Sequence, residues 1–207
     1  MLEVDLYSDP DLLNVAAFYP ATTTLGPGRR AILWLQGCLQ SCPHCVTPEM
    51  QPIIEVEWIE VEELAGLVAS IDGIEGITVV GGEPLLQYRA LARFLDFLKK
   101  RGLATMLYTG YLYEDLIGYP RPEIGHLLSN TDILVDGPYL REEDHGEMWR
   151  GSANQRILFL SERYKGWEWV RRVKKRDLSL HYSDDGRYLL LGIPPASLIL
   201  EKGPTIR

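Results

Sequence analysis

Every cysteine of the chain falls within eight residues, Cys38-Leu39-Gln40-Ser41-Cys42-Pro43-His44-Cys45, spaced C-x3-C-x2-C. A fold that must gather three thiols on one tight loop has little freedom in how that loop is launched and anchored. Thiolates are soft ligands that suit zinc and iron–sulfur clusters. Three of them can hold three corners of a [4Fe–4S] cube. The fourth iron then lacks a protein ligand, and an open coordination position is where a metal centre does chemistry rather than brace a fold. A disulfide framework does not suit an odd cysteine count in a chain opening on MLEVDLYSDPDLL, an acidic stretch unlike a secretory signal. A Cys3His zinc site is the rival. There Cys38, Cys42 and Cys45 are joined by His44 or, without a telling spacing, by His126, His145 or His181.

The surroundings of the loop read as an α/β chain. Residues 12–18 (LLNVAAF) predict a buried strand. After the turn-rich Leu25-Gly26-Pro27-Gly28 and Arg29-Arg30, residues 31–37 (AILWLQG) predict a strand buried on both faces, as in a parallel sheet. The cysteine loop leaves that strand at its C-terminal end, where α/β folds build their sites. Residues 46–58 read as irregular, with Pro48 and Pro52. A helix is expected over 59–71, with Ile59, Leu64, Leu67, Val68 and Ile71 on one face. The next strand, 76–80, runs into Gly81-Gly82-Glu83-Pro84. An amphipathic helix over 88–101 buries Leu91, Phe94, Leu95 and Leu98, carries Lys99, Lys100 and Arg101 in its last turn, and stops at Gly102. A strand over 104–108 leads into Thr109-Gly110-Tyr111. Short helices follow near 113–117 and after Pro122, and residues 132–136 predict another strand before Gly137-Pro138. Strands alternating with helices predict right-handed βαβ units around a parallel sheet. They are too few for a closed eight-stranded barrel, so the expected fold class is α/β, a partial (open) β/α barrel.

Gly81 and Gly82 admit unusual backbone angles and close approach to a ligand. The free carbonyls of such a turn suit the ammonium end of an amino acid. The plain alternative is a tight strand-to-helix turn with Pro84 opening the helix.

With 207 residues the chain has room for one domain and an appendage. No apolar run approaches the roughly 20 residues of a membrane-spanning helix, which predicts a cytoplasmic protein with no membrane partner. The formal net charge of −8 is unevenly spread. Residues 1–160 carry 11 Lys/Arg against 23 Asp/Glu, and residues 161–207 carry 10 against 6. The expected division is a core domain over 1–160 and a basic C-terminal extension over 161–207. In the extension Arg163, Lys165, Arg171, Arg172, Lys174, Lys175 and Arg176 cluster with Trp167 and Trp169. Basic residues interleaved with aromatics can hold nucleic acid or dock an acidic partner, and more commonly form a solvated face. Residues 177–182 and 187–193 predict a hairpin around Ser183-Asp184-Asp185-Gly186.

The C-x3-C-x2-C loop after one strand and Gly-Gly-Glu after the next resemble the two hallmarks of the radical S-adenosylmethionine (SAM) superfamily. Within it the chain resembles the activating enzymes of anaerobic (class III) ribonucleoside-triphosphate reductase, over about residues 12–160. The matching stretches are Leu25 to Arg29, Gly37 to Cys45, Gly81 to Pro84, Tyr108 to Tyr111, Leu134 to Gly137, and Trp149 to Arg156 (WRGSANQR). The resemblance implies a partial barrel of the radical SAM type, to which the hairpin expected in residues 177–193 adds a small C-terminal β-containing extension. It implies a [4Fe–4S] cluster held by Cys38, Cys42 and Cys45, with SAM chelating the fourth iron. An electron from the cluster would cleave SAM to methionine and a 5′-deoxyadenosyl radical, which removes hydrogen from a backbone glycine of a partner. The implied partners are therefore a glycyl radical enzyme and a reductant such as flavodoxin or ferredoxin.

By the same resemblance Gly81, Gly82 and Glu83 meet the SAM amino group. Thr109 and Asp136, at strand ends over the same mouth, contact SAM or a cation near its carboxylate, or act as cap or turn residues. His44 stands where the superfamily often has an aromatic near the adenine, or is an exposed loop residue. Arg29 and Arg30 attract the SAM carboxylate or the partner, or more simply are solvated charges. Asn154 and Gln155 belong to the matching stretch without an assigned role. No general acid or base is implied. The chain departs from these activases in the 50 or so residues after Arg156. That leaves two other readings open. One is a radical SAM enzyme acting directly on a small molecule, as the 7-carboxy-7-deazaguanine synthase group does. The other is a non-enzymatic metal-binding module that contacts nucleic acid through its basic tail.

Overall fold

The computed structural model describes residues 7–182, 188–195 and 198. Seven strands, β1 (Leu12–Thr22), β2 (Arg30–Leu35), β3 (Glu57–Glu60), β4 (Gly76–Gly81), β5 (Ala104–Tyr108), β6 (Ile133–Asp136) and β7 (Arg156–Phe159), form one sheet in the order β3-β1-β2-β4-β5-β6-β7. β2, β4, β5 and β6 pair in parallel, as their largely apolar sequences predict. β1 runs antiparallel to β2 and β3, and β7 antiparallel to β6. The class is α/β, with a parallel centre and antiparallel flanks.

Helices α1 (Val61–Ala69), α2 (Tyr88–Lys100), α3 (Tyr113–Ile117) and α4 (Pro122–Ser129) share a core with one face of the sheet. Strand side chains alternate between faces. Leu33, Leu35, Ile77, Val79, Leu107 and Leu134 meet the helices. The other face carries Ile32 and Trp34 from β2, Met106 from β5, and Ile133 and Val135 from β6. Later parts of the chain cover it: Trp149, Tyr164 and Val170 pack on one side, Leu191 on the other.

Four local expectations are corrected. The first helix begins at Val61, because Ile59 lies in β3 opposite Leu13 of β1. Four residues are too few to show a strand period, and the 11-residue β1 supplies the template that makes them one. Leu67 is 52% exposed, and Val61, Leu64, Ala65 and Val68 face the core instead. β7 was not expected, since Arg156–Phe159 has no alternation to read. β1 extends past Phe18 to Thr22, and Pro20 sits in a register irregularity that tolerates its missing N–H. In the extension, β8 (Ser179–Tyr182) pairs antiparallel with β9 (Tyr188–Leu191); the expected turn at Ser183–Gly186 lies outside the described residues. Among the described residues no helix is long and apolar enough to cross a membrane.

Arg30 is the opposite of a solvated charge: it is fully buried. Its Nε donates to Thr78 Oγ1 at 3.0 Å, Nη1 to Pro27 O and Tyr164 Oη, and Nη2 to Ile77 O and Ala104 O. All five guanidinium donors are thereby used. Arg29, beside it, is exposed and donates to Asp72 O. Lysine has three donors, so Arg30→Lys leaves buried acceptors unpaired. We expect a loss of about 3 kcal/mol, a melting temperature lower by about 6–12 °C. A melt within two degrees of wild type, by circular dichroism, would contradict the role given to this network.

Candidate active site

Parallel neighbours end at the same level, so the loops after β2, β4 and β5 meet. Leu35 is in register with Gly81, and Val79 with Leu107. A cavity of about 180 Å³ opens at these strand ends. Cys38, Cys42 and Cys45 all line it, together with Gly81, Gly82, Glu83 and Thr109. Trp34, Val80 and Tyr108 give it apolar walls. Tyr108 reaches across to donate to Trp149 O at 2.7 Å, and burial holds its phenol well above the ordinary range.

The cysteine loop is anchored at its root by backbone bonds. Gly37 N–H donates to Met50 O and Cys38 N–H to Gln51 O, both at 2.9 Å. The glycine turn closes on the same root: Gly82 N–H donates to Leu35 O and Glu83 N–H to Gly37 O, both at 2.8 Å. A Cβ on Gly82 would stand 2.2 Å from Gly37 O and 2.6 Å from Met50 O. Gly82 is thus required by the seam between two loops, a role the sequence did not separate from ligand approach. Gly81 (φ +122°) has the left-handed angle expected of glycine in a turn. Within the loop Ser41 and His44 also have positive φ, an uncommon state for residues bearing a Cβ.

The three cysteines are partly buried free thiols. Burial pushes Cys38 up to about 11, and Cys45 is raised for the same reason. Without metal these two are protonated, and metal loading must release protons. No histidine lines the cavity among the described residues. His126 contacts Asn130, His145 lies near Glu143, and His181 bonds Tyr19 and Ser179. Nor do any three His, Cys, Asp or Glu side chains among the described residues crowd closely enough to hold one ion. Three soft thiols lining one cavity, with no histidine beside them among the described residues, fit a cluster better than a Cys3His zinc site.

Glu83 is 1% exposed. Its Oε1 accepts from Leu85 N–H at 3.0 Å and from Thr109 Oγ1 at 2.9 Å, and its Oε2 accepts from Gly110 N–H at 2.8 Å. Thr109 therefore orients Glu83. A carboxylate has about four lone-pair sites, so capacity remains for a cation in the cavity. Burial raises Glu83 to about 7, against the three hydrogen bonds that favour its charged form. A carboxyl raised in the folded state binds its proton more tightly there than when unfolded. Its contribution is therefore greatest at low pH and is lost as pH rises from about 4.5 to about 7. For the metal-free protein we expect Glu83→Gln to remove that part of the pH slope, at most about 3 kcal/mol. Parallel wild-type and variant melts between pH 5 and 8 would contradict it.

Asp136 is not brought to the cavity. On β6 its neighbour Val135 takes the cavity face, and Asp136 turns to the helix face, where Tyr113 N–H (2.8 Å) and Arg156 Nε (2.9 Å) and Nη2 bind its carboxylate. His44 is also outside: it is exposed and accepts from Arg141 Nη1 at 2.9 Å. Gln155 does line the cavity. It donates to Gly137 O and accepts from Gly151 N–H, latching the WRGSANQR stretch onto the loop after β6. Gly192 and Ile193 of the extension also reach the cavity, with no motif to announce them.

Residues 24–158 match the model of a family described as a 4Fe-4S single cluster domain. The chain is 27% identical over 151 residues to the anaerobic ribonucleoside-triphosphate reductase-activating protein of Enterobacteria phage T4, a match covering 70% of this chain and 93% of that protein. It is 32% identical over 174 residues to the pyruvate formate-lyase-activating enzyme of Staphylococcus aureus (strain USA300), covering 79% of this chain and 67% of the relative. A match over more than half the chain, with relatives at this identity, shows the family: the chain belongs to the 4Fe–4S single-cluster domain family, as a radical SAM enzyme of the activating-enzyme type whose cofactors are a [4Fe–4S] cluster and SAM.

Proposed function

We propose that this chain installs a glycyl radical on a partner enzyme. The observation that carries the reading is the sharing of one cavity by Cys38, Cys42 and Cys45 with Gly81, Gly82, Glu83 and Thr109. In it the three cysteines hold the cluster, and the glycine turn with Glu83 holds the amino-acid end of SAM. When bound, these cofactors supply a carbon-centred radical by one-electron cleavage of the S–C5′ bond. The chain itself binds, orients and excludes water. Thr109, Leu85 and Gly110 fix the Glu83 carboxylate, which attracts an ammonium group. Trp34 and Val80 keep the wall apolar. Asp136 acts only at a distance, by tying Arg156 and the start of α3 behind the site.

The partner is a glycyl radical enzyme of the ribonucleotide reductase or pyruvate formate-lyase kind, because the relatives are named as activators of those enzymes. The reductant is a flavodoxin or ferredoxin, and the setting is cytoplasmic. The sheet is the partial barrel of this superfamily. The division near residue 160 separates the core domain from the basic extension by charge, and the two share packing, since Tyr164 and Val170 are buried among residues of β6 and β7. The test is co-incubation of the reconstituted enzyme, SAM and a reductant with a class III reductase under anaerobic conditions. A glycyl radical signal by electron paramagnetic resonance is expected. Its absence, together with SAM-dependent turnover of a small molecule, would replace this reading.

A further inference from the structure

We propose that three buried carboxamides, Asn14, Gln36 and Gln87, are the positioning residues of the cysteine loop and set how firmly its cluster is held. This rests on the reading of that loop as the cluster site. None of the three lines the cavity, and none is more than 2% exposed. Buried amides are costly unless hydrogen-bonded, and here the bonds form a directed path.

β1 and β2 pair as far as Val15 and Leu35, and one further backbone bond, Gln36 N–H to Asn14 O at 3.0 Å, closes the end of the ladder. Gln87 clamps the two strands at that point. Its Oε1 accepts from Asn14 N–H at 2.8 Å, and its Nε2 donates to the carbonyls of Asn14 and Gln36, both at 3.1 Å. The side chains of Asn14 and Gln36 then reach the segment after the cysteine loop. Asn14 Nδ2 donates to Ile54 O at 2.8 Å, while its Oδ1 accepts from Val56 N–H at 3.0 Å. Gln36 Nε2 donates to Pro52 O at 2.7 Å. The same segment supplies the Met50 and Gln51 carbonyls that bind the N–H groups of Gly37 and Cys38. The path runs from the start of α2 to the backbone of the first cysteine.

Chemical type matters as much as position. A carboxamide offers donors and an acceptor without charge. A carboxylate at any of these places would lose the N–H donors to these carbonyls and leave a buried negative charge facing them. Apolar side chains of similar size would fill the space but release the 49–56 segment.

The experiment compares wild type, Asn14→Leu, Gln36→Met and a remote control, Arg30→Lys, at the opposite end of β2. Each is reconstituted anaerobically and challenged with an iron chelator. We expect iron release at least about tenfold faster in the two amide variants, the scale of losing a supporting partner at a metal site. Arg30→Lys should stay near wild type despite its lower melting temperature. In the metal-free proteins, alkylation of Cys38 by iodoacetamide should accelerate in the amide variants only. That readout needs no cluster. If wild type fails to hold four irons, the cluster reading falls while alkylation still decides the positioning role. If both rates simply follow melting temperature, with Arg30→Lys as fast as the amide variants at equal loss, the proposal is overturned.

Discussion

Cys42→Ala is expected to reduce 5′-deoxyadenosine formation from SAM to below detection while leaving the metal-free fold intact. Cys42 is only partly buried and sits at the middle of the loop, away from the bonds that anchor the loop root at Gly37 and Cys38. Its removal from the metal-free protein should therefore change stability by no more than about 0.5 kcal/mol, the usual range for a surface substitution. The cluster has no such tolerance. Two thiolates in place of three leave a second iron without a protein ligand, and no histidine lines the cavity to replace it among the described residues. Mass spectrometry for the nucleoside, beside a thermal melt of the metal-free protein, checks both halves. Wild-type product from the variant would remove Cys42 from the ligand set.

Gly82→Ala should do what Cys42→Ala does not, and damage the fold and the site together. The added methyl would meet the carbonyl oxygens of Gly37 and Met50 at 2.2 and 2.6 Å. These acceptors bind Glu83 N–H and Gly37 N–H, so neither can retreat without opening the seam between the cysteine loop and the glycine turn. Overpacking against backbone costs about 3 kcal/mol or more, a melting temperature lower by about 6–12 °C for a chain of this size. Iron binding should fall with it. Gly66→Ala is the control. Gly66 lies inside α1, nothing stands within 4 Å of the place its Cβ would take, and alanine there should stabilise by about 0.5–1 kcal/mol. Equal melts for Gly82→Ala and wild type would mean that the seam is not what requires the glycine.

The difference between what could be read and what could not is physical. The cysteine loop was legible because three thiols at fixed short spacing have few uses. The parallel centre was legible because β2 and β4 are apolar without alternation, which only a strand buried on both faces tolerates. The same uniformity hid the orientation of Asp136. A strand covered on both sides has no polar face to set its phase, so Val135 and Asp136 could not be assigned to cavity and helix sides. Arg30 misled for a related reason. Nothing local shows that Ile77 O and Ala104 O, 47 and 74 residues away, will meet its guanidinium. Asn14, Gln36 and Gln87 are likewise ordinary polar residues in the sequence, and acquire their role only when β1, β2 and the start of α2 converge. Gly192 and Ile193 reach the cavity because β9 folds back against Ile32 and Trp34, a tertiary event without a sequence period.

The central claim is that Cys38, Cys42 and Cys45 hold a cluster that works on SAM in the cavity shared with Glu83. The most direct measurement uses wild-type protein reconstituted anaerobically, given SAM and a strong reductant, with iron per chain and 5′-deoxyadenosine measured on the same sample. A four-iron protein that releases the nucleoside, and releases none without reductant, is the predicted result. A protein that carries its irons on these cysteines yet leaves SAM intact, or that takes up one zinc instead, would contradict it.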